Sequence, residues 1–264
     1  MTSQIEKELS SNGVLRLTLN NPQRRNALSE AMIGALHQAI TDASISSDVK
    51  VVVLSGNGPA FSAGHDLKEI TAARNSDDKG RAFFTSLMSQ CAAMMTAIVN
   101  CPKPVIAEID GIATAAGCQL VASCDLAYAS DTSRFATPGV NIGLFCSTPM
   151  VALSRNVSSK HAMEMLLTGD MLSAADAERM GLINRVTESA SLKALTQEVA
   201  DKIAAKSSLT LAIGKEAFYR QQEMNLKEAY AYASEVMVNN MLTEDGEEGI
   251  SAFVEKRPPV WRNQ

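Results

Sequence analysis

Two short segments rich in small residues are places where a backbone could approach a ligand closely. Residues 59–67 read Pro-Ala-Phe-Ser-Ala-Gly-His-Asp-Leu, and residues 110–119 end a predicted strand and open a predicted helix. The free N–H groups and the positive dipole end of that helix could face an anion or a developing oxyanion. Taken alone, either segment could equally serve close packing of a helix against a sheet.

Strands and helices alternate along the first 150 residues that must position these segments. Val14–Leu19 alternates, with Leu15, Leu17 and Leu19 on one face and Arg16 and Thr18 on the other, which predicts a half-buried strand. Ser29 is a favourable N-cap for the helix that follows. Further strands are predicted at residues 51–54, 104–109 and 126–128, with a helix over 84–98. The alternation predicts a largely parallel sheet.

The last third of the chain has helical periodicity almost throughout. The predicted helices are 158–167, 173–180, 191–205, 208–222, 226–240 and 244–256, with one strand-like run at 182–186. No linker rich in Gly, Ser or Pro separates independent domains. The sequence therefore predicts that the C-terminal third of the chain is a helical subdomain.

Composition and charge narrow the class of protein. Hydrophobic residues make up 46% and charged residues 20% of the 264 residues, which is typical of a globular enzyme. The net charge is −5, and no basic run exceeds Arg24-Arg25, so nucleic acid is not a predicted partner. An anionic ligand would need a local basic site.

The cysteines and the N-terminus bear on the compartment. Five cysteines without a CxxC spacing favour reduced thiols and predict no metal site. Residues 1–11 resemble neither a secretory signal nor an Arg-rich transit peptide, and no stretch approaches 18 apolar residues. We therefore expect no membrane span and a cytoplasmic protein, mitochondrial only if a leader has been removed.

Several motifs occur in the order found in one known superfamily. They are Asn21-Pro22 with Arg25-Asn26-Ala27-Leu28, Ala60 through Lys68, Gly111 through Cys118, Cys124-Asp125-Leu126, Phe135-Ala136-Thr137-Pro138, and Leu167-Thr168-Gly169 with Ala174 through Gly181-Leu182. Through these motifs the chain resembles the enoyl-CoA hydratase/isomerase (crotonase) superfamily along nearly its whole length. The stretches at 113–120 and 135–149 are most similar to its enoyl-CoA hydratase domain-containing protein 3 subgroup.

The resemblance implies a fold and an assembly. The fold would be the crotonase (ClpP-like) α/β fold of repeated ββα units, followed by a C-terminal helical subdomain. In the family such helices mediate homotrimers, often paired into hexamers, so residues 1–200 are expected to be the crotonase core and residues 201–264 the trimerisation region. No permanently bound cofactor is implied.

The resemblance also implies a ligand and the residues that would hold it. The ligand would be a coenzyme A thioester, as substrate or as bound molecule, whose carbonyl oxygen accepts hydrogen bonds from the backbone N–H groups of His65 and Ala116. The side chain of His65 could contact CoA, take part in chemistry or only pack. The positions that would line the CoA nucleotide are Arg24, Arg25, Ala27, Ala63, Asp66, Leu67 and Lys68. Arg25 and Lys68 could supply the local basic site.

Both glutamates of the family's hydratases are missing. The matching positions hold Gln119 and Gly139, and neither side chain can exchange a proton near neutral pH. No Asp or Glu lies between Asp131 and Glu164. Because positioned acid or base groups contribute about 10²- to 10⁴-fold, efficient hydration is not expected. Gln119, Asn141 and Cys146 are the candidate polar groups for the acyl end, with Ser147 and Thr137 beside them. Cys146 could act as a nucleophile if its pKa were depressed, or pack as a small hydrophobe.

Three hypotheses remain open from the sequence. The favoured one is an enzyme of acyl-CoA or fatty-acid metabolism that carries out an enolate-type reaction other than ordinary hydration. The second is a binding or regulatory protein that sequesters acyl-CoA without turnover. The third, a structural or RNA-associated protein, gains little from the acidic composition.

Overall fold

The computed structural model describes residues 3–263, which fold into two sheets surrounded by helices. The strands are β1 Ile5–Leu9, β2 Val14–Leu19, β3 Val51–Gly56, β4 Ala60–Ser62, β5 Val105–Ile109, β6 Ile112–Thr114, β7 Leu126–Ser130, β8 Arg134–Ala136, β9 Leu172–Ser173 and β10 Arg185–Thr187. The helices are α1 Glu30–Ile45, α2 Leu67–Ala73, α3 Arg81–Asn100, α4 Ala116–Ser123, α5 Pro149–Leu153, α6 Ser159–Thr168, α7 Ala174–Met180, α8 Ser189–Ala204, α9 Ser208–Gln221, α10 Leu226–Met241 and α11 Glu244–Glu255.

The larger sheet has the order β1-β2-β3-β5-β7-β10, and the smaller sheet has the order β4-β6-β8-β9. All neighbouring strands run parallel except the pairs β1–β2 and β8–β9. Each of β3, β5 and β7 lies in the larger sheet and is followed at once by a short strand of the smaller sheet and then by helix. The predicted ββα units and mainly parallel sheet are therefore confirmed.

Helix α1 begins as the sequence predicts. The Ser29 side chain accepts a hydrogen bond from the backbone N–H of Met32 at 3.2 Å and so caps the helix. One face of α1, including Ile33, Leu36 and Ile40, is buried in the main core. This packing fixes the chain just before α1, which is part of the candidate site.

Strand β2 is buried on both faces, so the expectation of a half-buried strand is wrong. Arg16 is 8% exposed, and its guanidinium donates to Glu108 at 2.6 Å. Thr196 of α8 also donates to Glu108, because α8 covers this second face of the sheet. A buried charge needs such a partner, and the partner lies 92 residues away along the chain.

Helix α3 is long and apolar enough to cross a membrane by length and composition alone. It is the single helix of that kind among residues 3–263. One of its faces, including Leu87, Cys91 and Ile98, is buried in the core that also contains α1. Arg81, Gln90 and several Ser and Thr residues interrupt its apolar residues, so it contains no run of 18 apolar residues, and the burial of this face indicates a core helix.

The C-terminal helices lie close to their predicted bounds. The proposed boundary at residue 200 falls inside α8, where Ala200 and Ala204 are both buried against the larger sheet. The helices beyond the core are therefore α9, α10 and α11. Helix α9 is tied back to the core by Lys215, whose ammonium group donates to Asp125 at 2.6 Å.

Candidate functional site

The N-terminal end of α4 packs against β4 with no space to spare. A Cβ atom on Gly117 would lie 2.2 Å from the carbonyl oxygen of Ser62. A Cβ atom on Gly64 would lie 2.9 Å from the Cβ of Ala115 and 3.1 Å from the backbone nitrogen of Ala116. The two small-residue segments found in the sequence therefore meet, and glycine is required at both contact points.

Two backbone N–H groups at this junction are left without an acceptor. No hydrogen bond from the N–H of His65 or of Ala116 occurs within the described part of the chain. Ala115 has φ 51° and ψ −119°, a rare conformation for a residue with a Cβ, and its own N–H donates to Ala136 at 2.9 Å. The strained turn at Ala115 lies directly before α4. Because Ala116 is the first residue of this helix, its N–H has no acceptor inside the helix.

Residues 21–28 are fixed against this junction by one buried side chain. The amide of Asn26, which is fully buried, donates to Asn57 O at 2.9 Å and to Ala60 O at 2.8 Å, and its oxygen accepts from the Asn21 N–H at 2.8 Å. Sequence reasoning did not select Asn26 as a site residue. Its φ of 50°, a conformation that Asn tolerates better than most residues, is not readable from the sequence.

Asp66 caps α2 and binds Arg24. Its carboxylate accepts from the Lys68 N–H at 2.9 Å and from the Arg24 guanidinium at 2.6 Å. Burial opposes ionisation of this carboxyl, but the Lys68 N–H and the Arg24 charge outweigh it, so the pKa of Asp66 lies below its ordinary value. The Arg24 guanidinium and the Asp66 carboxylate therefore neutralise each other's charge at the edge of the site.

The other positions that resemblance gave to the nucleotide lie on the same side of the molecule. Ala27 is buried, Ala63 is half-buried, and Leu67 is exposed at the start of α2. Arg25 and Lys68 are also exposed, and among the described residues neither side chain forms a salt bridge. Two exposed cations without a salt bridge in the described residues therefore lie on the segments next to His65: Arg25, whose carbonyl oxygen accepts from the Ala63 N–H, and Lys68 at the start of α2.

The imidazole of His65 lies under the chain that leads into α1. Its Nδ1 is 3.3 Å from the carbonyl oxygen of Leu28, so Nδ1 carries the proton in this contact. Burial lowers the pKa of His65 below its ordinary 6.5, and the Leu28 carbonyl only partly offsets that effect. The ring is therefore neutral near pH 7, with Nε2 as a buried acceptor that has no partner within residues 3–263.

Two further buried polar atoms lack partners close to the same helix end. They are Oε1 of Gln119 and Oγ1 of Thr137, on side chains that are 5% and 1% exposed. Gln119 lies one helical turn beyond Ala116, and Thr137 follows Ala136, the acceptor for Ala115. With His65 they make up three of the five such atoms found in residues 3–263. Orphaned buried groups are rare and need an explanation, and a ligand that forms hydrogen bonds with these atoms would supply one.

Gly139, at the position where the resemblance implies the second glutamate of the hydratases, has no room for a side chain. A Cβ atom on Gly139 would lie 2.6 Å from the Leu144 carbonyl oxygen and 2.9 Å from the Cys146 sulfur. Burial raises the pKa of the Cys146 thiol above its ordinary 9.0, although the Gly139 N–H partly offsets this. Since the thiolate is disfavoured, the geometry does not support the nucleophilic role considered for Cys146.

The structure separates Asn141 and Ser147 from the other candidates. Asn141 is exposed, and its amide lies 3.5 Å from the carbonyl oxygen of Gly169, at the end of α6. Ser147 is also exposed, and its hydroxyl donates to Phe145 in the same loop. Of the polar groups proposed for the acyl end, only Gln119 and Thr137 are buried with free hydrogen-bonding atoms.

Comparison with known proteins agrees with this geometry. The family model described as "Enoyl-CoA hydratase/isomerase" matches residues 9–264. The chain belongs to the enoyl-CoA hydratase/isomerase family. The crotonase fold expected from the sequence motifs is confirmed by solved structures of this family that superpose over almost the whole chain.

The relatives of this family member also support the subgroup that the motifs indicated. The mitochondrial enoyl-CoA hydratase domain-containing protein 3 of Mus musculus is 49% identical over 98% of this chain and 86% of its own length. The crystal structure of the human protein of the same name has a TM-score of 0.93 and 47% identity, covering 98% of this chain and all of that one. An enoyl-CoA hydratase from Mycobacterium smegmatis has a TM-score of 0.93 and 49% identity, with 98% of each chain covered.

The names of these relatives correct one expectation. The domain-containing protein 3 relatives from mouse, rat, frog and human are all named mitochondrial. The expectation of a cytoplasmic protein, which rested on the composition of the first eleven residues, is wrong on this comparison.

Proposed function

We propose that this family member binds a coenzyme A thioester and polarises its carbonyl group without efficiently hydrating a neighbouring double bond. The observation that carries the proposal is the pair of unused N–H groups, on His65 and Ala116, brought together by the contact between Gly64 and α4. Two preorganised donors stabilise negative charge on one oxygen, and each is typically worth about 2.7 to 4 kcal/mol of transition-state stabilisation.

Charge at the edge of the site supports a CoA ester as the ligand. Arg25 and Lys68 are exposed cations on an otherwise acidic chain, and they flank the loop that carries the His65 N–H. Phosphate and pyrophosphate groups are suitable partners for them. Arg24, which is paired with Asp66, would position the loop rather than bind phosphate directly.

The acyl end of the site supports polarisation rather than hydration. Gln119 can hold a hydrogen-bonding group but cannot take its proton, and position 139 has no space for a carboxylate. An enolate reaction needs a proton acceptor, whereas sequestration needs none. The two functions therefore differ in whether the α-proton of a bound acyl group exchanges with solvent.

Association into trimers or hexamers is part of the same proposal. Helices α10 and α11 expose large apolar side chains, among them Met237, Met241 and Phe253. These side chains support contacts between copies of the chain, which light scattering of the purified protein would measure.

The test compares two ligands that differ in the carbonyl oxygen alone. Butyryl-CoA and its thioether analogue S-butyl-CoA are titrated by calorimetry, with free CoA as the control. Two hydrogen bonds contribute about 1 to 3 kcal/mol together, so we expect butyryl-CoA to bind roughly tenfold or more tightly than the thioether. We call the two N–H groups of His65 and Ala116 the thioester grip. Equal affinity of the two ligands would show that this grip does not bind the carbonyl oxygen.

A kinetic measurement on the same sample tests the second half. We expect crotonyl-CoA to bind without rapid hydration, and rapid hydration would show that groups other than two glutamates transfer the protons. Exchange of the α-protons of butyryl-CoA in D₂O then separates an enolate-forming enzyme, which exchanges them, from a protein that only sequesters the ester.

A further inference from the structure

Helix α3 carries a second apolar face that packing in the core does not explain. Its core face includes Leu87, Cys91 and Ile98. Beside that core face lie Ala92, Thr96 and Val99, of which Ala92 and Thr96 are exposed to solvent, and Met95, which is buried in the core, borders both faces. Apolar residues on both faces give this helix the hydropathy of a membrane span, although its core face is buried.

That second face lines a cavity of about 790 Å³. The other walls come from α4, from α5 and the residues after it, and from α9. Much of the wall is apolar, including Ala122, Val151, Ala152 and Ala212. The volume lies well inside the range of about 300 to 1,000 Å³ typical of pockets for drug-sized ligands, and a four-carbon acyl group would leave most of it empty.

The cavity is lined by the same helix, α4, whose first residue carries the Ala116 N–H. Gln119, Ala122 and Ser123 line it, and they lie three, six and seven residues beyond Ala116 on one face of α4. An acyl group whose carbonyl oxygen accepted from the Ala116 N–H would therefore meet Gln119 first. Beyond Gln119 the chain would run between the apolar faces of α3 and α5.

Helix α9 is held over the cavity by buried polar contacts. Lys215 donates to Asp125 at 2.6 Å and to the carbonyl oxygens of Ile98 and Lys103 at 3.0 and 3.1 Å. Tyr219 donates to the other oxygen of Asp125 at 2.8 Å. Because these contacts tie α9 to the end of α3, the cavity is preformed rather than opened by the ligand.

We infer that this cavity receives the acyl chain of the bound thioester and selects chains of eight or more carbons over short ones. The inference rests on the proposed function, because the cavity is assigned through its connection to the grip. Two of its charged lining residues, Asp125 and Lys215, are buried and paired with each other, whereas Arg155 and Glu223 form an exposed pair 3.4 Å apart. A purely apolar chain would end before that pair.

The experiment measures dissociation constants by calorimetry for acetyl-, butyryl-, octanoyl- and decanoyl-CoA. Each fully buried methylene strengthens binding about fourfold, so we expect octanoyl-CoA to bind at least tenfold more tightly than acetyl-CoA. Octanoyl-CoA that binds no more tightly than acetyl-CoA would overturn the inference and leave the proposed function standing. If none of the four esters binds more tightly than free CoA, the proposed function itself fails.

Two neighbouring alanines of α3 provide a matched pair of variants. Ala92→Phe places a ring in the cavity, whereas Ala93→Phe places the same ring on an exposed position that does not line it. We expect Ala92→Phe to lose the tenfold gain for octanoyl-CoA while keeping the affinity for acetyl-CoA, and Ala93→Phe to change neither. Thr96→Phe, on the same cavity face, is the second variant if Ala92→Phe does not fold. A chain-length gain that survives in the folded cavity variants contradicts the assignment.

Discussion

The grip at the N-terminal end of α4 and the acyl end of the site differ in what limits them. At the grip, backbone atoms would bind the ligand, and Gly64 and Gly117 leave no space for side chains. At the acyl end, the family's hydratases rely on side chains, and here one is an amide and the other is absent. On the proposed function, the site would keep a geometry set by backbone packing without the proton-transfer groups of the hydratases.

Among the variants that test this difference between the two ends of the site, Gly117→Ala is expected to have the largest effect. The added Cβ would lie 2.2 Å from a backbone oxygen of Ser62, which cannot rotate away. Overpacking of this kind typically costs about 1 to 3 kcal/mol, and we expect a loss at the upper end of that range together with at least tenfold weaker binding of butyryl-CoA. Urea denaturation and calorimetry measure the two effects.

Gly34→Ala is the matched control for that variant. A Cβ at residue 34 in α1 would meet no atom within 4 Å. Since alanine favours helix over glycine by about 0.5 to 1 kcal/mol, this variant should be slightly more stable and bind normally. If both variants behaved alike, the close contact with Ser62 would not be what positions α4.

A second test asks whether the lost carboxylate can be put back. Gln119→Glu restores an acid at one position, but Gly139→Glu forces a Cβ towards Leu144 O and the Cys146 sulfur. We expect the Gln119→Glu/Gly139→Glu pair to remain far slower than family hydratases with crotonyl-CoA. Gly139→Ala should cost most of the stability that Gly139→Glu costs, about 1 to 3 kcal/mol, because the clash arises at Cβ.

The contrast between the N-terminal end of α4 and the acyl end of the site fails if the double variant hydrates crotonyl-CoA rapidly and has the same melting temperature as the parent. In that case the loop at residues 143–147 yields easily, and the absence of hydration would follow from the two substitutions alone. Thermal melts of Gly139→Ala, read beside the kinetics, distinguish these cases.

A smaller effect is expected at the charged edge of the grip. Lys68→Gln removes one exposed cation without touching the backbone, so binding of butyryl-CoA should weaken by roughly two- to tenfold at low salt. The difference from the parent should shrink at 0.5 M salt because exposed charges are screened. A salt-independent loss would show that Lys68 acts through packing rather than through the charge of the nucleotide.

The smallest effect concerns pH and His65. Burial depresses the pKa of this imidazole in the folded state below its ordinary 6.5, so the unfolded chain binds the proton more readily. The stability that this group contributes is therefore fully present above pH 6.5 and is lost as the pH falls through the folded pKa. His65→Asn keeps the backbone N–H and should flatten this part of the stability profile in urea titrations at pH 5 to 7. An unchanged profile would mean that the imidazole is not held neutral.

Local patterns predicted most helices and the main strands because each depends on residues close in sequence. The N-cap at Ser29 and the helices from 158 onward are examples. The strands of the smaller sheet contain two or three residues each, too few for any period to show, and they were not predicted individually. Strand β1 was likewise missed, although its register with β2 is regular.

The exposure of Arg16 could not be predicted from the alternation of β2. Its partner Glu108 and the covering helix α8 lie far along the chain, so the alternation suggested a solvent face that does not exist. The second apolar face of α3 has the same origin, since the cavity beside it forms only when α9 is tied to Asp125.

The sequence by itself determined the family, the ββα order and the identities at positions 119 and 139, because these depend on residue type and spacing alone. The tertiary structure decided that two N–H groups stay unused beside Gly64, that position 139 has no room for a side chain, and that a large, partly apolar cavity is lined by Gln119. Each of these depends on distances between segments that are far apart along the chain. Such distances are set by packing of the whole fold and by no local pattern.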